Sequence, residues 1–439
     1  MLISGWGNYP HRDAPVLTAH EPDDLPRRIA GSETIIARGA GRAYGDAAIG
    51  SGATLAMTGV DRMIAFDAET LSLTVEAGVT LAQILDAFVP RGFFPPVVPG
   101  TRYVTVGGMV AANVHGKNHH KSGGFGSHVE RLTLIAADGS TCVCSSTQNA
   151  TLFRATIGGM GLTGIIRDVT FRLQRIDSAF MRNETVIAPD LDAVFRAFEA
   201  SRDWTYTVAW IDCLARGSAL GRSVLFRGEH ARRDELDAHH TAAYRPETGP
   251  KLAVPFNLPG FTLNRLSVRA FNSLYFNGHR PGAAIVPLLK YFFPLDALGH
   301  WNRLYGRSGF VQYQCVIPKS RSREALGGIL DLVAARGGAS FLTVLKLLGP
   351  DDAGLLAFPL EGYTLTLDFH ATAATFRLLA ELDRRVMDCG GRVYLAKDAC
   401  QSPALVEAGY PQLNAFRTLR QQSGAAAKFQ SLQSQRLAL

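Results

Sequence analysis

No CxxC pair occurs in these 439 residues, and the six cysteines present (Cys142, Cys144, Cys213, Cys315, Cys389 and Cys400) are too scattered for a disulfide framework. Free thiols in a reducing compartment are the expectation. No run of about eighteen apolar residues exists, so no membrane-spanning helix is expected. The opening MLISGWGNYPHRD lacks an apolar stretch behind a basic start, so no secretory leader is expected. Charged residues are only 19% of the chain, and the net charge of +7 is spread along it without a Lys/Arg block. That argues against nucleic acid and suits anionic ligands or an anionic membrane surface. The expected location is the cytoplasm, with peripheral contact at the inner membrane left open.

What the chain does have is core-forming material, 47% hydrophobic and enough for two or three domains, and glycine. Three glycine-rich stretches stand out. In the first, Arg38-Gly39-Ala40-Gly41-Arg42-Ala43-Tyr44-Gly45-Asp46 follows a β-branched strand, Thr34 to Ala37. Closely spaced glycines after a strand can aim successive N–H groups at a phosphate. The spacing is not GxGxxG and no amphipathic helix follows, so a plain turn competes. The second stretch, Pro96 to Asp138, organises the rest. It runs through Pro99-Gly100-Thr101, Gly107-Gly108, a small-residue run from Met109 to Asn113, His115-Gly116-Lys117-Asn118-His119-His120 and Gly123-Gly124-Phe125-Gly126. Flexible backbone, donors and apolar alternation together suit a large, anionic, partly aromatic ligand such as a dinucleotide. A glycine-rich turn cluster in an ordinary β protein is the competing reading. The third is Gly158-Gly159-Met160-Gly161-Leu162-Thr163-Gly164-Ile165-Ile166.

Regular elements are expected between them: a short helix over Pro22 to Ala30 with an acidic start, and strands over Leu71–Ala77, Leu132–Ala137, Thr141–Cys144 and Val169–Leu173. Thr80 is placed to cap a helix over Leu81–Phe88. His115 and His119 have H-x3-H spacing, but neighbouring glycines argue against a helix and no cysteine or acid completes a set, so no metal is expected. Lys346, inside the apolar Phe341–Leu348, needs a partner or a ligand if that segment is buried. The region from Arg227 to Leu304 reads as long, loop-like and rich in Pro, Gly and aromatics. Its apolar loops, flanked by Arg232, Arg233, Lys251 and Arg265, suit a polyprenyl chain and an anionic bilayer, with ordinary packing as the competing reading.

RGAGRAYGD, PPVVPGTRYVTVGGMVAANVHGKNHH and GGMGLTGII together resemble the FAD-linked oxidases of the vanillyl-alcohol-oxidase type, and within them the polyprenylphosphoryl-ribose 2′-oxidases. Further matches fall at Tyr206–Asp212, Phe310–Gln314, Phe341–Pro350 and Gly391–Asp398; the likeness is weakest from Arg227 to Phe276. The resemblance implies an α+β fold: a two-lobed architecture with an FAD-binding domain over 1–176, completed by 392–439, and a substrate-binding domain over 177–391 built on an antiparallel sheet. It implies that Gly39, Ala40, Gly41, Arg42, Ala43 and Tyr44 hold the pyrophosphate. Gly100, Thr101, Gly107, Gly108, Ala112, His115, Gly116, Asn118, His119, Ile165 and Tyr394 would line the flavin. Relatives that attach FAD covalently use a histidine on the first loop; here Arg42 stands there, which implies non-covalent FAD.

The reaction implied is oxidation of the 2′-hydroxyl of a polyprenyl-phosphoryl-β-D-ribofuranose to the 2′-keto sugar. An NAD(P)H-dependent keto-sugar reductase would then complete epimerisation to the arabinose donor. Lys397, His115 and Tyr44 would carry the chemistry; Lys117, Trp210, Phe292, Gln312, Gln314, Lys346, Thr364, Thr366 and Lys397 would contact substrate. The sequence departs from the mycobacterial pattern at Thr364 (asparagine there), Thr366 (cysteine) and Phe292 (tyrosine); the changes at Thr364 and Phe292 leave the exact sugar open. The missing thiol implies no covalent trapping by nitroaromatic inhibitors. The alternatives are an FAD-linked oxidase of a soluble sugar, aldonolactone or secondary-metabolite alcohol, and a flavin-binding scaffold with little turnover of its own.

Overall fold

The computed structural model describes residues 1–237, 244, 252–260, 262–336, 340–350 and 353–439; Lys251 and Phe261 lie outside them. The N-terminal part builds two sheets of more than two strands, beside two short two-stranded ones. Val16–Thr18 (β1), Ile35–Arg38 (β2) and Ala53–Ala56 (β3) form a parallel sheet in the order β1-β3-β2. Met63–Asp67 (β4), Ser72–Glu76 (β5), Val129–Ile135 (β6), Thr141–Ser145 (β7) and Ile165–Arg172 (β8) form an antiparallel one in the order β7-β6-β8-β5-β4. Helix Leu25–Ala30 (α1) precedes β2. Leu81–Phe88 (α2) starts at the expected Thr80, whose hydroxyl accepts from the Gln83 amide while the Gln83 side chain returns the bond. This capping box fixes the chain's exit from β5. The small-residue run is not an open strand: Val106–Ala111 is a helix (α3), because Thr105 caps it through the Gly108 amide. His119–Ser122 is one helical turn (α4), and His115 lies outside it in an isolated bridge to Gly124, so the two histidines share no helix.

Phe180–Ala188 (β9), Tyr206–Ile211 (β10), Ser223–His230 (β11), Gly282–Pro287 (β12), Phe310–Pro318 (β13), Val344–Leu348 (β14), Gly362–His370 (β15) and Arg392–Val393 (β16) form an eight-stranded sheet, ordered β12-β9-β11-β10-β14-β15-β13-β16. Every pairing in it is antiparallel. Side chains alternate faces along a strand. Ala209, Ile211, Val311, Tyr313, Cys315, Leu345, Leu347, Leu365 and Leu367 therefore pack in one core with Leu191–Glu199 (α5), Ser322–Arg336 (α7) and Ala373–Asp388 (α8). The opposite face carries Trp210, Gln312, Gln314, Lys346, Thr364, Thr366 and Asp368.

From Arg265 onward the Arg227–Leu304 region is not loop-like. It holds Arg265–Gly278, a fourteen-residue helix (α6), then β12 and a helical turn at Leu288–Phe292. Asn264 caps α6 through the Leu266 and Ser267 amides. The helix buries Val268 and Asn272 and exposes Leu266 and Leu274, so its apolar residues are not confined to one face and the segment did not read as a helix.

The C-terminal chain returns to the N-terminal part through Leu432–Leu437 (α9). Arg436, on this helix, bonds Asp46 through Nε (3.2 Å) and Nη2 (2.8 Å), and Asp398 through Nη2 (2.7 Å). Gln433 adds a bond to Asp398. One guanidinium thus ties the end of the first glycine loop to the residue after Lys397.

Candidate active site

A cavity of about 780 Å³ lies between the glycine-rich N-terminal stretches and the polar face of the eight-stranded sheet. That face is buried, which its composition alone does not explain. Gln312, Gln314, Thr364 and Asp368 are all at most 5% exposed. Buried polar groups require partners, so a sheet face of this kind points to a ligand or a network.

Both are present. Gln312 Nε2 donates to Asp368 Oδ1 (2.6 Å), and Tyr305 Oη donates to Asp368 Oδ2 (3.4 Å). Burial pushes the Asp368 carboxyl up to about 7. Lys397 Nζ stands 3.8 Å from the Tyr44 ring centroid, and burial pulls this ammonium down to about 7, with Asp368 opposing and Lys346 reinforcing the shift. Lys346, for which no hydrogen bond or ion pair occurs among the described residues, is lowered to about 8 by burial. Lys117 donates to the Tyr291 carbonyl and is lowered to about 7, by burial and then by Lys346. Three buried amines lining one cavity, one of them acted on by the buried Asp368 carboxyl, can bind an anion and can also give up a proton near neutrality.

His115 is buried and held well below its ordinary value by burial, then by Lys346, His119 and Lys397, so it is neutral. Gln314 Nε2 lies 2.9 Å from its Nε2 and 3.1 Å from Thr364 Oγ1. An amide donor at Nε2 puts the imidazole proton on Nδ1, which is buried without a protein partner. A second set of unpartnered donors is the first glycine loop. The amides of Gly39 to Ala43 donate to no acceptor among the described residues, although Tyr44 N donates to Ala396 O (3.1 Å).

Of the residues singled out from sequence, Gly39, Ala40, Gly41, Arg42, Ala43, Tyr44, Gly100, Thr101, Gly107, Gly108, Ala112, His115, Gly116 and Tyr394 line this cavity, as do Lys117, Trp210, Phe292, Gln312, Gln314, Lys346, Thr366 and Lys397. Four are placed elsewhere. Ile165 points into the core against β2, and its neighbour Ile166 lines the cavity, the one-residue alternation of a strand. Asn118 turns its amide to the Pro96 carbonyl (2.8 Å). His119 Nδ1 accepts from the Gly349 amide (3.1 Å). Thr364 is buried beneath Gln314. Among the described residues no three His, Cys, Asp or Glu side chains converge as a metal site.

Asp368 was missed. A lone acid in an alternating strand reads as a solvated residue, and only its burial makes it chemical. Asp296 was missed likewise. It accepts from the Arg102 amide (2.8 Å) at the cavity wall, and burial raises its carboxyl. So were Tyr275 and His279 of α6, which line the cavity from a segment read as loop.

Comparison with known proteins bears on this geometry. A sequence profile for an FAD binding domain matches residues 27–145. A decaprenylphosphoryl-beta-D-ribose oxidase of Mycolicibacterium smegmatis is 34% identical over 450 aligned positions, covering 100% of this chain and 97% of the relative. The chain belongs to the decaprenylphosphoryl-β-D-ribose oxidase family. An uncharacterised Streptomyces coelicolor protein is 35% identical over 82% of this chain and all of its own length. An L-gulonolactone oxidase of Mus musculus is 28% identical over 37% of this chain and 38% of its own. Membership makes the chain an FAD-dependent oxidoreductase of α+β fold, with FAD as its cofactor.

The site fits that group. Unpartnered amides at Gly39–Ala43 suit a pyrophosphate, and the orphan His115 Nδ1 offers a donor to a polar ring edge. The loop's shape is fixed by its glycines. Gly41 has φ +64°, and a Cβ on Gly39 would sit 2.1 Å from Thr105 Oγ1, the hydroxyl that caps α3. Gly39→Ala is therefore expected to weaken FAD binding about tenfold or more, through a misplaced loop. Absorbance of the purified protein and FAD titration of its apoprotein check this; unchanged affinity would remove the loop from the binding site.

Proposed function

We propose that this enzyme oxidises the 2′-hydroxyl of a polyprenyl-phosphoryl-β-D-ribofuranose to the 2′-ketone. The observation that carries the reading is the trio of buried amines Lys117, Lys346 and Lys397 lining one cavity, with the buried Asp368 carboxyl acting on Lys397. The bound FAD supplies the acceptor for the hydride that leaves C2′. Lys397 Nζ, neutral in part near pH 7, takes the hydroxyl proton. Lys346 and Lys117 hold the phosphodiester anion, and Trp210, Phe292 and Thr366 shape the sugar subsite. Tyr44 keeps the Lys397 amine over its ring, and Gln312, bonded to Asp368, orients the carboxylate that favours the charged amine. Gln314 and Thr364 position His115, whose unpartnered Nδ1 would donate to the flavin when it is bound.

We infer further that residues 1–176 with 392–439 form the flavin lobe and residues 177–391 the substrate lobe. The course of β9 to β15 and the Arg436 tie support this. FAD is held without a covalent bond: the lining side chains of the first loop offer no histidine, and Arg42 Nε is engaged by the Tyr103 carbonyl (3.2 Å). Flavin released by acid precipitation tests this. A separate NAD(P)H-dependent reductase consumes the ketone. The enzyme works in the cytoplasm against the inner membrane; no helix among the described residues is long and apolar enough to cross one.

The test is the flavin spectrum before and after anaerobic addition of polyprenyl-phosphoryl ribose. Bleaching is expected. A flavin that stays oxidised with it but bleaches with a free sugar, an aldonolactone or another alcohol would shift the assignment to the second reading, supported so far by relatives matching about a third of the chain.

A further inference from the structure

Five of the ten large apolar side chains exposed among the described residues fall in one short stretch: Leu252, Phe256, Leu266, Phe271 and Leu274. Leu266 and Leu274, two turns apart on α6, are 78% and 76% exposed, while Asn272 on the inner side is fully buried and donates to Asp212 Oδ1 (2.7 Å). The helix therefore buries Val268 and Asn272 but turns both its leucines outward, leaving apolar side chains on a face that a helix packed for water keeps polar. Phe256, 64% exposed, ends a segment tied to the chain at Gly299 and Arg303. Arg303 Nη1 donates to the carbonyls of Val254 (2.9 Å) and Pro255 (2.8 Å), and Val254 N donates to Gly299 O (2.9 Å).

Charge says what covers this face. From Leu252 to Leu295 the sequence has no Asp or Glu, whereas Arg265, Arg269 and Arg280 are exposed there. Leucine and phenylalanine set among arginines, without an acid, form the pattern of an element lying in an anionic lipid interface. A second copy of the chain would set these arginines against their own counterparts in a two-fold contact. The face also adjoins the cavity: Tyr275 and His279, on the inner side of α6, and Gly299, His300 and Trp301, behind Phe256, all line it.

We propose that the outer face of α6, with the Leu252–Phe256 segment, docks on an anionic lipid bilayer and holds the cavity mouth at its surface. A substrate with a polyprenyl tail could then present its sugar without the tail leaving the lipid; this part rests on the function proposed above. The FAD-loaded enzyme is mixed with phosphatidylcholine vesicles with and without phosphatidylglycerol and separated by flotation. Wild type is expected to float with the anionic vesicles and to be released by salt. Leu266→Glu with Leu274→Glu should lower that partition at least about tenfold at unchanged flavin absorbance, and Arg269→Glu should weaken it in the same direction.

Equal partition onto neutral and anionic vesicles, no flotation, or a double variant equal to wild type would overturn the proposal. So would a lipid-free dimer abolished by the same leucine changes, or an acidic protein that competes wild type off the vesicles without touching lipid. Flavin bleaching by a short-chain polyprenyl-phosphoryl ribose, without vesicles, reads the substrate separately. Bleaching without flotation removes the docking face alone, and flotation without bleaching removes the substrate alone.

Discussion

Lys397→Ala is expected to slow substrate-driven flavin reduction by about 10²- to 10⁴-fold while the purified protein stays yellow. The amine sits in the cavity wall 3.8 Å from the Tyr44 ring centroid, and burial brings its proton affinity to about 7. A proton acceptor works only in its neutral form, so the wild-type reduction rate should rise with pH through about 7 and level off above it. Below that value the charged amine cannot take the hydroxyl proton. Lys397 and Asp368 titrate in the same range and face each other, so the midpoint belongs to the pair. Asp368→Asn removes the carboxylate that favours the ammonium, and the midpoint should fall. Lys397→Arg keeps the charge but cannot deprotonate in this range. If it retains the wild-type rate and a flat pH profile, the proton role is wrong and the lysine acts only as a charge. Rapid anaerobic mixing followed at the flavin absorbance gives all of these values.

Arg436→Ala is expected to cost about 3–5 kcal/mol of stability, because it leaves two buried carboxylates without their cation. The Asp46 and Asp398 side chains are 6% and 1% exposed, and the guanidinium binds both. Urea unfolding followed by fluorescence, with flavin release as the second signal, measures the loss. Adding Asp46→Asn and Asp398→Asn to an Arg436→Gln background should recover much of it, since the neutral trio leaves no charge stranded. A strictly additive triple variant would show that the cluster contributes nothing as a unit. The single variant should also slow flavin reduction in molecules that retain FAD. Asp398 follows Lys397 in the chain, and the Tyr44 amide is bonded to Ala396, so the clamp sets where the amine meets its ring.

The local pieces of this protein were legible as sequence because their causes are local. Thr80 with Gln83 caps a helix by its own hydrogen bonds, and Gly41 permits a backbone turn that other residues resist. The alternation in Leu71–Ala77 and Val169–Leu173 marks strands whatever they pack against, and strands Ser72–Glu76 and Ile165–Arg172 stand there. The motifs at Gly39–Asp46 and Pro99–His120 carried the family, because a dinucleotide needs backbone close to it and side chains kept away. Where tertiary structure decided, the cause lay in a distant segment. Ile165 and Ile166 are interchangeable in composition, and only the register of β8 against β6 sends the second one to the cavity. Asp368 is an ordinary strand residue until burial raises its carboxyl, and α6 gives no clean period because its leucines face outward while Val268 faces inward. Sequence by itself determined the elements, the glycine loops and the residues able to do the chemistry. The tertiary structure decided which polar groups lose their water, and with it which amines and carboxylates titrate near neutrality, because desolvation depends on what packs above a side chain and not on its neighbours in the chain.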